Sequence, residues 1–292
     1  MRKIRKAVIP AAGFGTRFLP ATKVLPKELL PIVDRPVIQL VIEEAVQSGI
    51  EEVILVSNPG KRQIVEHFES SPSLEAFLDS KGKQDLLEEL RQLTSLVRVK
   101  SVEQKVPLGL GHAVLCAKEA VGEEPFAVLL PDDITSGSEP CLGQLLSSYE
   151  EIPNDAATVA LYHVPLDQIH RYGVIEGSVV SENLYQVERI VEKPSPEKAP
   201  SLFAVMGRYI LPSQIFSILE EAQPGVGGEI QLTDGLAKLA QQRKLYGYCF
   251  EGTWYDVGSK LGFLQANVAL GLRRSDVGPE LRSFLNSFLL RS

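Results

Sequence analysis

The apolar positions of the chain change period along its length, and each change marks an element. The run Lys6-Ala-Val-Ile-Pro10 is short, apolar and followed by glycines, which predicts a buried strand feeding a turn. Ile38, Val41, Ile42, Ala45 and Val46 then recur at helical spacing, with Pro36 at the start and Gly49 at the end, and predict a helix. Glu52 to Ser57 predicts a second strand, so the order strand, loop, helix, strand gives a β-α-β unit in a largely parallel sheet with a right-handed crossover. Residues 61 to 95 predict two surface helices split at Ser80-Lys-Gly-Lys83, with Leu86, Leu90 and Leu93 as one stripe. Leu96 to Val102 alternates as a strand, Gly109 to Ala120 reads as a loop entering a helix, and Phe126 to Pro131 as a buried strand ending at Asp132-Asp133.

Beyond residue 155 the pattern shortens into strands at Thr158 to Val164, Gly173 to Glu176, Leu184 to Val191 and Ala204 to Leu211, a half richer in antiparallel pairing. Helices around Ser213 to Glu221 and Glu229 to Gln242 follow, then a strand near Leu245 to Phe250 and a helical region from Lys260 onward. Pro194 to Ser201 reads as an irregular, proline-shaped loop. There is no internal repeat, and one α/β domain is expected over 1–292.

Composition narrows the functional classes. With 44% hydrophobic and 23% charged residues the chain reads as an ordinary globular protein, and a net charge of -7 gives no global pull towards nucleic acid or acidic membranes. Any positive site must be local. Cys116, Cys141 and Cys249 are odd in number and far apart, without metal-ligand spacing, which fits a reducing cytoplasm. The basic start, Met1 to Lys6, precedes too short an apolar run for a signal peptide, and no run approaches a membrane span.

The chemistry gathers where strands end. In Ala11-Ala-Gly-Phe-Gly-Thr-Arg17 and on to Lys23 and Lys27, the main-chain N–H groups of Ala11, Ala12, Gly13, Gly15 and Thr16 can crowd around phosphate oxygens. Arg17, Lys23 and Lys27 supply the charge that a triphosphate needs. Two better-known loops do not fit. The dinucleotide fingerprint wants a third glycine or alanine where Phe18 stands, and the P-loop wants Gly-Lys-Ser/Thr where the chain has Gly-Thr-Arg. A plain tight turn with solvated cations remains open on the loop alone. Asp132 and Asp133 lie at the carboxyl end of a buried strand, where ligands sit in open α/β sheets, and suit either magnesium or a turn cap.

Gly13-Phe-Gly-Thr-Arg17 followed by Pro26-Lys27-Glu28 resembles the signature of the sugar nucleotidyltransferases, and the longer string is similar to their bacterial UTP:glucose-1-phosphate branch. The resemblance runs through roughly residues 6 to 270 with every cluster in the same order. It implies a three-layer α/β/α Rossmann-like fold with a mixed, mostly parallel central sheet and a smaller antiparallel sugar-binding part. A nucleotide-binding half (about 1–150), a sugar-phosphate half (about 151–258) and a C-terminal helical region (about 259–292) follow from it. Arg17 and Lys27 are then expected on the triphosphate, and Gln104 and Gly109 of Gln104-Lys-Val-Pro-Leu-Gly-Leu-Gly-His-Ala113 against the base. Mg2+ is expected on Asp132 and on Asp256 of Trp254-Tyr-Asp-Val-Gly258, with Asp133 touching sugar hydroxyls. Tyr172-Gly173-Val174, Glu192-Lys193-Pro194 and Val205-Met-Gly207-Arg-Tyr209 look like the family's sugar-phosphate site. Glu192 would accept from sugar hydroxyls, Lys193 would pair with the sugar phosphate, and Gly173 and Gly207 would let the sugar approach the main chain.

The implied reaction joins UTP to glucose-1-phosphate, giving UDP-glucose and pyrophosphate, in a cytoplasmic homodimer or homotetramer without nucleic-acid or membrane partners. A thymidylyl- or adenylyltransferase and a non-catalytic nucleotide-sugar binding protein stand as alternatives. A dinucleotide oxidoreductase fails on its fingerprint.

Overall fold

The computed structural model describes residues 3–225 and 228–290. The first two residues of the basic start, the last two of the tail, and Val226-Gly227 lie outside the described residues. In chain order the elements are β1 (Lys6–Pro10), β2 (Pro31–Ile32), β3 (Arg35–Pro36), α1 (Val37–Gln47), β4 (Glu52–Ser57), α2 (Arg62–Glu66), α3 (Pro72–Ser80), α4 (Gln84–Ser95), β5 (Arg98–Glu103), α5 (Leu110–Cys116), α6 (Lys118–Val121), β6 (Phe126–Leu129), β7 (Asp133–Ser136) and α7 (Cys141–Tyr149). They continue as β8 (Ala157–His163), β9 (Gly173–Ser181), β10 (Leu184–Glu192), β11 (Phe203–Leu211), α8 (Gln214–Glu220), α9 (Leu232–Gln241), β12 (Leu245–Cys249), β13 (Thr253–Asp256), α10 (Lys260–Gly271) and α11 (Gly278–Leu289).

Nine strands form one sheet in the order β5-β4-β1-β6-β11-β8-β12-β10-β9. Side chains alternate across it. Ala7, Ile9, Val53, Leu55, Ala127 and Leu129 pack into the core under α1, α7 and α10, while Val8, Ile54, Val56 and Val128 pack under α5, α8 and α9. That alternation makes three layers, as expected.

Pairing is parallel through β5, β4, β1 and β6 and again between β8 and β12. It is antiparallel at β6–β11, β11–β8, β12–β10 and β10–β9. A further antiparallel contact joins β11 to β9, so five antiparallel pairs stand beside four parallel ones, and the antiparallel strands continue the mixed central sheet. The connections step outwards from β1 to β4 to β5 and then return to β6 on the other side of β1. The carboxyl ends of β1 and β6 therefore flank a point where the strand order reverses, the crevice that open α/β sheets use for ligands.

Three local readings need correction. Residues 61 to 95 hold three helices, because the chain breaks before Pro72 as well as at residues 81–83. The buried residue of α4 is Leu87, at 2% exposure, whereas Leu86 of the expected stripe is 48% exposed. The helix expected from Glu229 starts at Leu232, since the segment before it runs extended against residues 108–111.

Candidate active site

Two cavities open side by side along the carboxyl edge of the sheet, of about 480 and 550 Å³. The first is lined by Ala12, Gly13, Thr16, Lys27, Gln104 and Gly109. The second is lined by Arg17, Asp133, Gly173, Glu192, Lys193, Gly207 and Asp256. Asp132 faces both.

The loop after β1 is fixed from beneath by residues that the sequence reading passed over. Lys61, 6% exposed, donates to Ala11 O at 2.7 Å and to both carboxylate oxygens of Glu28 at 2.8 and 3.0 Å, and Asn58 Nδ2 donates to Ala12 O at 2.8 Å. Burial raises the Glu28 carboxyl and lowers the Lys61 amine, and their mutual bonds oppose both shifts. These anchors hold the loop carbonyls inward.

Ala11 also gives its N–H to Val56 O at 2.7 Å and one carbonyl lone pair to Lys61, so a nucleotide contact at Ala11 would use its second carbonyl lone pair and not its N–H. Gly15 lines neither cavity. Its φ of 66° and its carbonyl, which accepts from Thr22 Oγ1 at 2.7 Å, make it a turn residue beside Lys27. At Gly13, by contrast, an added Cβ would meet nothing within 4 Å, and that open space is the first cavity. Lys23 is exposed and lines neither cavity.

Gln104, 4% exposed, spends its amide NH2 on Gly109 O at 3.2 Å and His112 Nδ1 at 2.8 Å, which leaves Oε1 as its remaining polar atom. Gly109, at φ 95°, and Gly111 meet a protein demand before any ligand. A Cβ on either would come 2.8 Å from Ile230 O, because residues 229–231 lie directly on this loop.

Asp132 and Asp256 are brought together by a device invisible in the sequence pattern. The short strands β7 and β13 pair antiparallel with Asp133 opposite Asp256, and Val257 N–H bonds to Asp132 O at 2.9 Å. A Cβ on Gly258 would stand 3.1 Å from Asp132 Oδ2 and 3.2 Å from Asp256 Oδ1, so the missing side chain keeps a gap between two carboxylates. Hard oxygen donors facing a gap suit a divalent cation that completes its shell with phosphate oxygens. Both carboxylates have cationic partners, Lys27 Nζ at 2.9 Å from Asp132 Oδ2 and Arg171 Nη2 at 2.5 Å from Asp256 Oδ2.

Charge crowding sets the ionisation of this group. Burial works to raise Asp132, but the charge and hydrogen bond of Lys27 outweigh it and hold the carboxyl below its ordinary value. Burial, the adjacent Asp132 charge and Asp256 push Asp133 up to about 7, against Arg208 and the 2.6 Å bond from Trp254 Nε1. Burial likewise raises Asp256, against Arg171.

Arg208, fully buried, supports this loop from the opposite face of β11. It donates to both oxygens of Glu44 at 3.0 and 2.7 Å and to the carbonyls of Leu130, Gly207 and Asp133. Gly207 has no room for a side chain, since a Cβ would fall 2.1 Å from Asp133 Oδ2. Tyr209, two residues on, turns to the second cavity, and burial raises its hydroxyl well above the usual range.

On the far wall β9 and β10 pair with Gly173 opposite Glu192, and a Cβ on Gly173 would come 3.2 Å from Glu192 Oε2. Lys193 follows in a left-handed conformation, φ 46°, with its N–H on Tyr172 O at 3.0 Å. Such a backbone is uncommon for a long side chain, and the chain adopts it also at Val33, Asn183 and Arg243. Among the described residues its amine has only the Glu192 carboxylate at 3.5 Å, and both side chains are exposed.

A glycine loop open to a cavity, paired carboxylates and a flanking polar cavity at a strand-order reversal suit a phosphoryl- or nucleotidyl-transfer site. The family described as Nucleotidyl transferase matches residues 6–271, and the chain belongs to it. The chain is 48% identical over 289 residues to the UTP–glucose-1-phosphate uridylyltransferase of Bacillus subtilis (strain 168), covering 99% of this chain and 98% of that protein. It is 47% identical over 285 residues to the enzyme of the same name from Staphylococcus epidermidis, at 98% of each. Among solved structures, a UTP-bound UGPase from Acinetobacter baumannii is similar with a TM-score of 0.90 and 42% identity, covering 97% of this chain and 99% of that one.

Proposed function

We propose that this enzyme joins UTP and glucose-1-phosphate into UDP-glucose and releases pyrophosphate. The observation that carries the reading is Asp132, the charged residue common to a loop-lined cavity and a polar cavity that meet at its carboxylate. Such a junction is where the α-phosphate of one substrate must meet the phosphate of the other. The names of the relatives support the substrate pair.

A sugar phosphate is already ionised at neutral pH, so positioning and charge neutralisation suffice and no general base is needed. Main-chain groups of Ala12, Gly13 and Thr16 hold the triphosphate with Lys27, while Arg17, which lines the second cavity beside Gly258, reaches the reacting phosphates from that side. Gln104 Oε1 accepts from the N3–H of uracil, and Gly109 borders the base. Lys193 aims the sugar phosphate, and Glu192 accepts from sugar hydroxyls across Gly173. Asp133 lies with Gly207 in the lining of the same cavity, within reach of sugar hydroxyls. Asp132 and Asp256 are the residues that would hold Mg2+, and a cation there would supply positive charge to the phosphate oxygens of an in-line displacement.

The working unit in this reading is a single nucleotidyltransferase domain over 1–292, with the nucleotide-binding half about 1–150, the sugar-phosphate half about 151–258 and the C-terminal helical region about 259–292. It acts in the cytoplasm, which the three free thiols support. It assembles as a homodimer or homotetramer, which the exposed Leu261 and Leu264 of α10 and Phe284 and Phe288 of α11 support. Among the described residues no helix is long and apolar enough to cross a membrane.

The test is pyrophosphate release by purified protein with Mg2+, crossing UTP, TTP, CTP, ATP and GTP against glucose-1-phosphate and other sugar phosphates. Release with UTP and glucose-1-phosphate is expected. Release with TTP or ATP instead would move the substrate assignment to the thymidylyl or adenylyl branch. Silence across the panel with UDP-glucose still bound would leave a binding protein.

A further inference from the structure

We propose that Arg171 is a shared counter-ion, holding Asp256 while that carboxylate carries no metal and passing to a substrate phosphate when a divalent cation takes the carboxylate. The inference rests on the uridylyltransferase reading and adds to it a residue that no motif had singled out.

Arg171 closes the short turn Leu166–Arg171, directly before the Tyr172-Gly173 segment that lines the second cavity. Its guanidinium bonds Asp256 Oδ2 at 2.5 Å and lies 5.4 Å from the centre of the Tyr172 ring. The side chain is 39% exposed, so it can turn without moving the backbone or leaving a buried charge behind.

Two facts make the pair an exchange point. Asp256 faces the gap beside Gly258 that Asp132 shares, so a cation entering there competes with Arg171 for the same charge. Once a doubly charged ion occupies that carboxylate, repulsion between it and the guanidinium weakens the ion pair. The freed fork then lies in a cavity that must accept an anionic sugar phosphate beside Asp133, Glu192 and Asp256, where a planar bidentate donor fits a phosphate. Resting on the Tyr172 face keeps the guanidinium at the cavity wall during the change. Lys27 and Asp132 show the same arrangement on the nucleotide side, so both carboxylates of the gap are neutralised by cations that phosphate groups can claim.

Binding of MgCl2 alone, and of UDP-glucose in saturating Mg2+, would be measured by calorimetry and by the fluorescence of Trp254. That is the only tryptophan of the chain, and its ring centre is 4.9 Å from that of Tyr172. Removing a competing charge in Arg171→Gln should tighten Mg2+ alone by about threefold or more and weaken UDP-glucose by roughly tenfold or more. Arg171→Lys, which keeps the charge and loses the fork, should bind Mg2+ much as the parent does and UDP-glucose with intermediate strength. Unchanged or weaker Mg2+ binding in Arg171→Gln would overturn the exchange. Tighter Mg2+ with unchanged UDP-glucose would make Arg171 a structural counter-ion and would overturn it as well. A parent protein that binds UDP-glucose but releases no pyrophosphate defeats the catalytic reading alone, since the Arg171 comparison is still read in binding. A parent that binds no UDP-glucose defeats both.

Discussion

Arg208 on β11 and Glu44 on α1 form a two-pronged ion pair inside the protein, and the same guanidinium holds the carbonyls of Leu130 and Asp133 on either side of Asp132. The pair therefore ties the loop that carries Asp132 to helix α1. Arg208→Met would leave Glu44 buried without its partner, which should cost about 3 to 5 kcal/mol of stability by analogy with broken buried pairs. Arg208→Lys keeps one charge but cannot reach every acceptor, so it should lose less stability while lowering kcat with the KM for UTP little changed. Denaturant unfolding with steady-state kinetics checks both. An Arg208→Met protein as stable as the parent would show that the pair does not brace the loop.

The two glycines of the phosphate loop separate ligand from fold. Gly13 has an ordinary backbone and empty space around its missing side chain, so Gly13→Ala should change stability by less than about 1 kcal/mol. The methyl would project into the first cavity, and the KM for UTP should rise about tenfold, equivalent to about 1.4 kcal/mol. Gly15 is left-handed and a Cβ there would come 3.0 Å from Lys27 Cβ, so Gly15→Ala should lower the melting temperature as well. Equal melting losses for the two variants would count against this division.

The sequence made β1, α1 and β4 legible because strong hydrophobic periodicity coincided with clear breaks at Gly49 and the first loop. The pairing of the Gly173 and Glu192 clusters was less so, since the first strand was expected to stop at Glu176 and runs on to Ser181, and only that extension brings it to a tight turn at Asn183. What stayed hidden depends on distant contacts. Strands β7 and β13 are four residues each, too short to show a period, yet their register carries Asp256 to Asp132. Glu28, Lys61, Glu44 and Arg208 look like surface charges in a one-dimensional pattern and become internal only when partners far along the chain enclose them. A glycine tells of a demand without saying whether protein or ligand makes it, which is why Gly109 and Gly13 could not be told apart beforehand.

Lys193 carries two signals that a single substitution can separate. Its left-handed backbone costs on the order of 1 kcal/mol in a residue other than glycine, and its exposed pairing with Glu192 offsets little of that. Lys193→Ala keeps the strain and removes the amine, so stability should stay near the parent value while the KM for glucose-1-phosphate rises about tenfold or more. Lys193→Gly should show the same kinetic loss and a stability at least equal to that of Lys193→Ala. Parallel losses for UTP and glucose-1-phosphate would remove Lys193 from the sugar-phosphate side.

Gly258 offers the most direct test of the metal gap because nothing in its own backbone demands glycine. A methyl there would stand 3.1 Å from Asp132 Oδ2 and 3.2 Å from Asp256 Oδ1, closer than carbon and oxygen prefer, and would push the carboxylates away from a common ion. Gly258→Ala should therefore raise the Mg2+ concentration needed for half-maximal rate by about tenfold while UTP still binds, a loss of about 1.4 kcal/mol. Asp132→Asn is the stronger companion. It removes the charge itself and should abolish Mg2+-dependent turnover, with Lys27 losing the partner that raises its pKa. Near-normal activity in Asp132→Asn would take the ion away from this carboxylate. An unchanged Mg2+ requirement in Gly258→Ala would show that the gap beside residue 258 is not where the ion binds.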